Sequence, residues 1–272
     1  MLVPGAADAL AARVIAGLGF EAVYITGAGV TNALLGVPDL GFISLPELAQ
    51  QTSAIREAVD LPIIVDADTG FGNALNARRT VQVLERAGAN AIQIEDQAFP
   101  KRCGHFSGKQ VISADEMMAK IRAAVDVRKS EDFLIIARTD ARAEHGFDAA
   151  IDRAQQWIEA GADVTFVEAP ESIEEVRRIP SLLRVPQVIN MVPGGKTPLV
   201  SAAELASMKF AMVLYANAAL QGAILGMQAA LMELKARGSL DESSGKIATF
   251  GERQRLVQKA LFDDLERKYS TK

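Results

Sequence analysis

Apolar and polar positions along this 272-residue chain fall into short β-rich runs separated by longer stretches of helical period. Eight runs predict strands: Met1–Pro4, Ala22–Ile25, Pro62–Asp66, Ala91–Glu95, Phe133–Arg138, Val164–Glu168, Gln187–Met191 and Ala211–Tyr215. Between most of them lie helix-compatible stretches, Ala6–Gly17, Leu45–Ala58, Ala74–Ala87, Ala114–Val127, Phe147–Ala160, Ile173–Ile179 and Ala202–Ser207. Runs such as Phe133-Leu134-Ile135-Ile136-Ala137 are apolar on both faces, as in a parallel sheet covered by helices. The glycines of Ala87-Gly88-Ala89 and Ala160-Gly161-Ala162 sit where helices hand over to strands, a place that favours positive φ. Eight units of roughly 30 residues match an α/β fold of the (β/α)8 TIM type better than an open doubly wound sheet. Leu220–Arg237 and Glu252–Tyr269 read as further helices, across a Gly/Ser-rich break near Gly238–Gly245. No linker divides the chain, so residues 1–272 read as one barrel domain with residues 220–272 as a C-terminal helical extension.

Composition narrows the class. Hydrophobic residues make up 49% of the chain, enough for a large core. Lys+Arg 29 against Asp+Glu 34 gives a net charge of -5, with no basic excess to meet phosphates, so no nucleic-acid partner is expected. No apolar run reaches the roughly 18 residues of a membrane span, and no membrane partner is expected. Nothing at the start resembles a signal peptide. The single cysteine excludes an intrachain disulfide and fits a reducing compartment, which makes a cytoplasmic location the expectation.

Parallel barrels carry their chemistry at the C-terminal ends of strands and in the loops that follow. Tyr24, Asp66, Asp68, Glu95, Arg138, Glu168 and Asn190 fall at those places. Strand alternation puts Asp66 and Asp68 on one side of an extended segment, and Gly70-Phe71-Gly72 follows as a loop able to come close to a ligand. Hard oxygen donors of this kind suit Mg²⁺ or Mn²⁺. The competing expectation is that each acid caps a helix or pairs with Arg78, Arg79 or Arg138. Lys101-Arg102-Cys103-Gly104-His105 holds the sole cysteine and one of the 2 histidines. Neighbouring cations and an imidazole favour thiolate over thiol, so this segment reads as chemistry rather than packing. His145 reads as a solvated loop residue and Trp157 as core. Gly27-Ala28-Gly29 has Asn32 where a dinucleotide fingerprint needs its third glycine, and Gly195-Lys196-Thr197 has Asn190 where a P-loop needs its first. Gly194 and Gly195 are instead expected to let a loop fold over a ligand.

Taken in order, several segments resemble motifs of the isocitrate lyase and phosphoenolpyruvate mutase superfamily across nearly the whole chain. They are Val65-Asp66-Ala67-Asp68-Thr69-Gly70-Phe71-Gly72, Ile94-Glu95-Asp96-Gln97, Lys101-Arg102-Cys103-Gly104-His105, Ala137-Arg138-Thr139-Asp140 and Glu168-Ala169. The cysteine resembles the lyase branch, whose K-[KR]-C-G-H segment the mutase and hydrolase branches typically lack. The resemblance implies a Mg²⁺-dependent barrel that exchanges a C-terminal helix between subunits and assembles as a homotetramer. It implies that Asp66 contacts the metal while Asp68 and Glu95 order its waters. Tyr24, Thr26, Gly27 and Ala28 would hold a 2-oxo acid product, where the family usually has Tyr-x-Ser-Gly-Gly; Thr26 and Ala28 narrow that pocket slightly. Arg138, Glu168 and Asn190 would contact the other half of a small dicarboxylate substrate, with Gly104 and His105 beside it. Cys103 would protonate an enolate, His105 and Glu168 would set its protonation, and Tyr24 is a candidate base for the substrate hydroxyl. Members usually carry a helix before the first strand, whereas this sequence begins on that strand, so a less covered barrel floor is expected.

Methylisocitrate enzymes tend to follow C-G-H with Arg-Pro-Asn-Lys, where this chain has Phe106-Ser107-Gly108-Lys109. That difference favours a smaller acid such as a 2,3-dialkylmalate, citramalate or oxaloacetate. Asn190-Met191-Val192-Pro193-Gly194-Gly195-Lys196-Thr197-Pro198 is also similar to the dimethylmalate lyase and oxaloacetate hydrolase subgroup. The expected activity is carbon–carbon cleavage of a 2-alkylmalate to pyruvate and a carboxylic acid. Methylisocitrate cleavage, oxaloacetate hydrolysis or decarboxylation, a carboxyphosphonate or phosphoenolpyruvate mutase, and a non-catalytic binding scaffold are the alternatives.

Overall fold

Strand residues of alternating destination close into a barrel. The computed structural model describes residues 1–102, 104 and 108–270. Its strands are β1 (Leu2–Ala6), β2 (Val23–Ile25), β3 (Ile63–Asp66), β4 (Ala91–Glu95), β5 (Leu134–Thr139), β6 (Val164–Val167), β7 (Gln187–Asn190) and β8 (Met212–Tyr215). Neighbours pair in chain order, and β8 returns to pair in parallel with β1. This is the (β/α)8 TIM-type barrel that the strand count predicts.

Outward residues Val23, Ile25, Ile63, Val65, Ile92, Ile94, Ile135 and Ala137 pack with the surrounding helices into the main core. Their inward neighbours Tyr24, Ile64, Ile136, Phe166, Val188, Met212 and Leu214 fill the barrel interior. Trp157 is fully buried under the helix layer, as its apolar face predicts. Helices begin where side chains cap them: Ser113 Oγ accepts from Glu116 N ahead of Ala114–Val127, and Asn73 caps Ala74–Arg86. Gly88 and Gly161 take φ of 99° and 104° at the helix-to-strand corners, as expected for both.

Four details depart from the sequence pattern. Strand β1 runs on to Ala6, because Gly5 and Ala6 pair with Tyr24 and Ile25, and the first helix starts only at Ala9 behind its Asp8 cap. Gly27–Leu35 forms a helix that is not among the expected ones; Thr26 Oγ1 accepts from Gly29 N at 3.2 Å and starts it. The expected single helix Glu252–Tyr269 is two, Phe250–Leu256 and Lys259–Tyr269, because Gln258 at φ 56° interrupts the hydrogen-bond ladder. His145 is exposed as expected but ends a short helix, Arg142–His145.

The connection after β4 leaves the barrel and returns to its point of departure. Ala98 N donates to Gln110 O at 2.7 Å, and Ile112 N donates to Asp96 O at 2.9 Å. Lys101, Arg102 and Gly104 therefore ride on an excursion whose base is fixed beside the end of β4.

The seam between β1 and β8 leaves no room at Gly5, where an added Cβ would stand 1.8 Å from Ala216 O. Gly5→Ala should destabilise the protein by about 3 kcal/mol, the upper end of the usual overpacking cost. Urea unfolding of the two proteins checks this, and equal midpoints would refute the tight seam.

Candidate active site

Asp66, Arg138, Glu168 and Asn190 follow Ile64, Ile136, Phe166 and Val188 by two positions. Period-two alternation therefore turns them to the barrel interior, on top of its apolar filling. Together with Tyr24, Thr26, Ala28, Glu95, Arg102 and Gly104 they line a cavity of about 220 Å³. Val192, Pro193, Gly194 and Gly195 close one wall, the position expected for a glycine-containing loop over a ligand.

Arg138 is a buried cation of this cavity. Its Nε and Nη2 donate to Asp140 Oδ2 and Oδ1, both at 2.9 Å. Nη1 lies 3.3 Å from Glu95 Oε2, and Nε lies 3.6 Å from Glu168 Oε2. The Phe166 ring centroid is 5.4 Å from its Cζ. Burial works against the guanidinium charge, but Asp140, Glu168 and Glu95 outweigh it and hold Arg138 protonated. Lys109 Nζ ties the excursion to the same group, donating to Asp140 Oδ1 at 2.6 Å and to Gly104 O at 2.5 Å.

Asp66 and Asp68 do come together, through a turn rather than through strand alternation. Strand β3 stops at Asp66, Asp68 adopts φ 47°, and its N–H donates back to Asp66 Oδ1 at 3.2 Å. Asp68 does not line the cavity directly; Lys101 Nζ stands between, 2.7 Å from Asp68 Oδ1 and 2.6 Å from Asp39 Oδ1. Gly27 N donates to Asp66 Oδ2 at 3.4 Å, and a Cβ there would come within 3.1 Å of Asp68 Oδ1. Burial, then Asp66 and Asp39, push the Asp68 carboxyl up to about 7 against the pull of Lys101. Burial likewise raises Glu95 well above the usual carboxylate range. Tyr24 OH donates to Gln93 Oε1 at 2.7 Å, and Gln93 Nε2 donates to Asp66 Oδ1 at 3.2 Å. Burial and the Asp66 charge raise the Tyr24 phenol well above its ordinary value.

Three expectations need correction or limits. Gly70-Phe71-Gly72 does not line the cavity: Cβ atoms built at Gly70 and Gly72 would meet Ala77 and Asn76 of the adjoining helix. The glycines serve close loop-to-helix packing. Of the acids weighed as structural pairs, Glu95 does pair with Arg138 while also lining the cavity. Cys103 and His105 lie outside the described residues, although Arg102 and Gly104 on either side of Cys103 line the cavity.

The phosphoenolpyruvate phosphomutase family model matches residues 1–235. The chain belongs to this family. It is an enzyme of the superfamily that also holds the isocitrate lyases. A 2,3-dimethylmalate lyase of Eubacterium barkeri is 43% identical over 271 residues, covering 100% of this chain and 94% of that one. An oxaloacetate acetylhydrolase solved with 3,3-difluorooxalacetate superposes with TM-score 0.92 at 33% identity, covering 100% and 93% of the two chains. A phosphonopyruvate hydrolase solved with oxalate and Mg²⁺ superposes with TM-score 0.87 at 29% identity, covering 99% and 94%.

A divalent cation fits the residues of this family member. Asp39, Asp66, Asp68 and Glu95 crowd like charges: after burial, Asp66 and Asp39 help raise Asp68, and Asp140 and Asp66 help raise Glu95. Glu95 Oε1 is buried and accepts no hydrogen bond among the described residues. Among the described residues no group of three or more His, Cys, Asp or Glu side chains is already placed to hold a metal ion. Sequence reasoning missed Asp39, which sits in a loop without strand or helix signal, 62 residues from Lys101. It also missed Asn217, whose Oδ1 accepts from Thr26 Oγ1 at 3.2 Å in the cavity wall.

The raised Asp68 carboxyl makes a signed prediction. The folded protein holds that proton up to about pH 7, while the unfolded chain releases it near its ordinary 3.8. Its stabilising contribution is therefore present below the lower value and lost as pH rises through the upper one. In metal-free buffer, Asp68→Asn should gain on the parent as pH rises from about 5 to 7, by up to about 1.4 kcal/mol per pH unit. Denaturant titrations across that range measure the difference, and a constant gap would contradict it.

Proposed function

We propose that the protein is a Mg²⁺-dependent carbon–carbon lyase that cleaves a 2-alkylmalate-type dicarboxylate, such as 2,3-dimethylmalate, to pyruvate and a carboxylic acid. The observation that carries this reading is one cavity lined both by carboxylates suited to a divalent cation, Asp39, Asp66 and Glu95, and by a buried guanidinium suited to an anion. The full-length likeness to a 2,3-dimethylmalate lyase supports the substrate class.

Asp66 would hold the ion, with Asp68 and Glu95 ordering its waters and Asp39 adding charge. The ion would supply Lewis-acid polarisation of the substrate's carboxylate and 2-hydroxyl. Thr26, Gly27 and Ala28 hold the part that becomes the 2-oxo acid, and Arg138, Glu168 and Asn190 hold the departing half. As the hydroxyl gives its proton to solvent water, the freed oxygen pair forms the C2 carbonyl, the C2–C3 bond breaks, and its electron pair passes to the departing carbon as an enolate. Arg138, fixed by Asp140, faces that developing charge without having to reorganise. Cys103 returns a proton to the carbon, with His105 and Glu168 setting its protonation. Tyr24 stays protonated and donates to Gln93 rather than acting as the hydroxyl base, because burial and the Asp66 charge make its phenol hard to ionise. Gly104 admits the segment to the site, since a Cβ there would stand 2.4 Å from Arg138 Nη2 and 2.7 Å from Glu168 Oε1.

The structural likeness to an oxaloacetate acetylhydrolase supports oxaloacetate hydrolysis as a second reading. A homotetramer with exchanged C-terminal helices is part of the proposal, supported by exposed Leu225, Met227, Leu231 and Met232 on the helix Ala218–Arg237. The single cysteine supports a cytoplasmic location.

A panel of substituted malates with Mg²⁺, coupled to lactate dehydrogenase and NADH, should yield 2-oxo acid from at least one 2-alkylmalate. No 2-oxo acid from any member, with oxalate and acetate from oxaloacetate, would select the second reading. Cys103→Ser should lose at least about 100-fold in kcat, the scale of a missing general acid, while keeping Mg²⁺-dependent oxalate binding. Unchanged turnover would remove Cys103 from the mechanism.

A further inference from the structure

Lys101 occupies the space between the carboxylates assigned to the metal. It is 3% exposed, and its Nζ lies 2.6 Å from Asp39 Oδ1, 2.7 Å from Asp68 Oδ1 and 2.7 Å from Asp39 Oδ2. Asp68, Glu95, Asp66 and Asp39 together raise its ammonium well above the ordinary lysine value against the cost of burial. The side chain that neutralises the carboxylate set thus comes from the segment carrying Cys103.

We infer that Lys101 is the resident counter-ion of this carboxylate set, and that a divalent cation and the Lys101 ammonium compete for Asp39 and Asp68, so that metal loading frees the ammonium into the cavity. The inference rests on the metal reading given above. An ammonium is a point charge with donors only, so it cannot ligate the ion and can only repel it. In a poorly solvated pocket that repulsion is far larger than in water. Release needs no movement of the main chain. Arg102 N donates to Gln97 Oε1 at 2.9 Å, and Gln97 Nε2 donates to Arg102 O at 2.8 Å, which pegs the backbone beside Lys101. The four-carbon stem alone can turn, and Lys101 already lines the cavity where an anionic substrate would sit. A freed ammonium there attracts a carboxylate, so metal and acid bind with mutual reinforcement, and the coupling is reciprocal.

Calorimetric titration of the whole protein with MgCl₂ tests the competition. Lys101→Met should bind Mg²⁺ at least tenfold more tightly than the parent, whereas Lys101→Arg, which keeps the charge, should stay close to it. Equal or weaker binding by Lys101→Met, with the parent binding normally, overturns the role of Lys101 and leaves the metal reading standing. No binding by any of the three proteins overturns both. A measurement on the parent guards against a variant that fails to fold. Acylation of Lys101 by a water-soluble succinimidyl ester, read by mass spectrometry, should run several-fold faster in Mg²⁺ than in EDTA. An equal or slower rate in Mg²⁺ overturns the release.

Discussion

A guanidinium buried among carboxylates is costly unless each charge has a partner, and Arg138 meets that condition through groups from three strand ends. Asp140 takes two of its hydrogens, Glu95 approaches from β4, and Glu168 approaches from beyond β6. Asp140 is itself supported: its N–H donates to Asp96 Oδ1 at 2.8 Å, and its carboxylate takes the Lys109 ammonium. Asp96 in turn accepts from Thr139 Oγ1 and pairs with Arg153. These links fasten the returning excursion, through Lys109 and Gly104 O, to the group that faces the cavity. Removing any one member leaves its neighbours charged and buried, so the network holds its geometry as a unit.

The barrel makes this crowding possible because parallel strands in register aim equivalent positions the same way. Glu95 and Arg138 are register partners on β4 and β5, and so meet without any loop to bring them together. Below them the inward rows are apolar apart from Gln93, whose amide is bonded to Tyr24 and Asp66, and this filling denies water to the charged layer from underneath. The chain is strained at two of the places where strands hand over to this layer. Asp68 at φ 47° and Ala169 at φ 55° hold a left-handed conformation that residues with side chains seldom take. One fixes the Asp66–Asp68 turn, and the other follows Glu168.

Strands were legible in the sequence because they are buried on both faces, and a run such as Ile135-Ile136-Ala137 has no other economical reading. Their polar last residues were legible for the same reason: a charge ending such a run needs a purpose. What escaped notice depends on tertiary geometry. The helix Gly27–Leu35 is missing from the expected elements, and it forms because Thr26 caps it and Gly27 can press against Asp66 and Asp68. Asp39 lies in a stretch with no periodicity, and only the fold brings it to Lys101. The break at Gln258 has no glycine or proline to announce it. Strand alternation also gave the right neighbours for the wrong reason at Asp66 and Asp68, since a two-residue turn produces the same proximity.

The walls of the cavity divide the problem of substrate choice unevenly. Phe166, Val192, Leu214 and Ala216 offer an apolar surface, and such a surface separates acids differing by one methyl group by only about 1–3 kcal/mol. Polar groups discriminate more sharply, because a mismatched ligand leaves them buried and unpaired. Asn190 Oδ1 is buried and accepts no hydrogen bond among the described residues, and Thr26 and Asn217 are bonded to each other in the same wall. An acid that offers a donor to Asn190 relieves a standing cost, whereas one that separates Thr26 from Asn217 incurs a new one. Substrate identity therefore turns on the placement of hydroxyl and carboxylate groups against these three residues more than on the size of the alkyl branch.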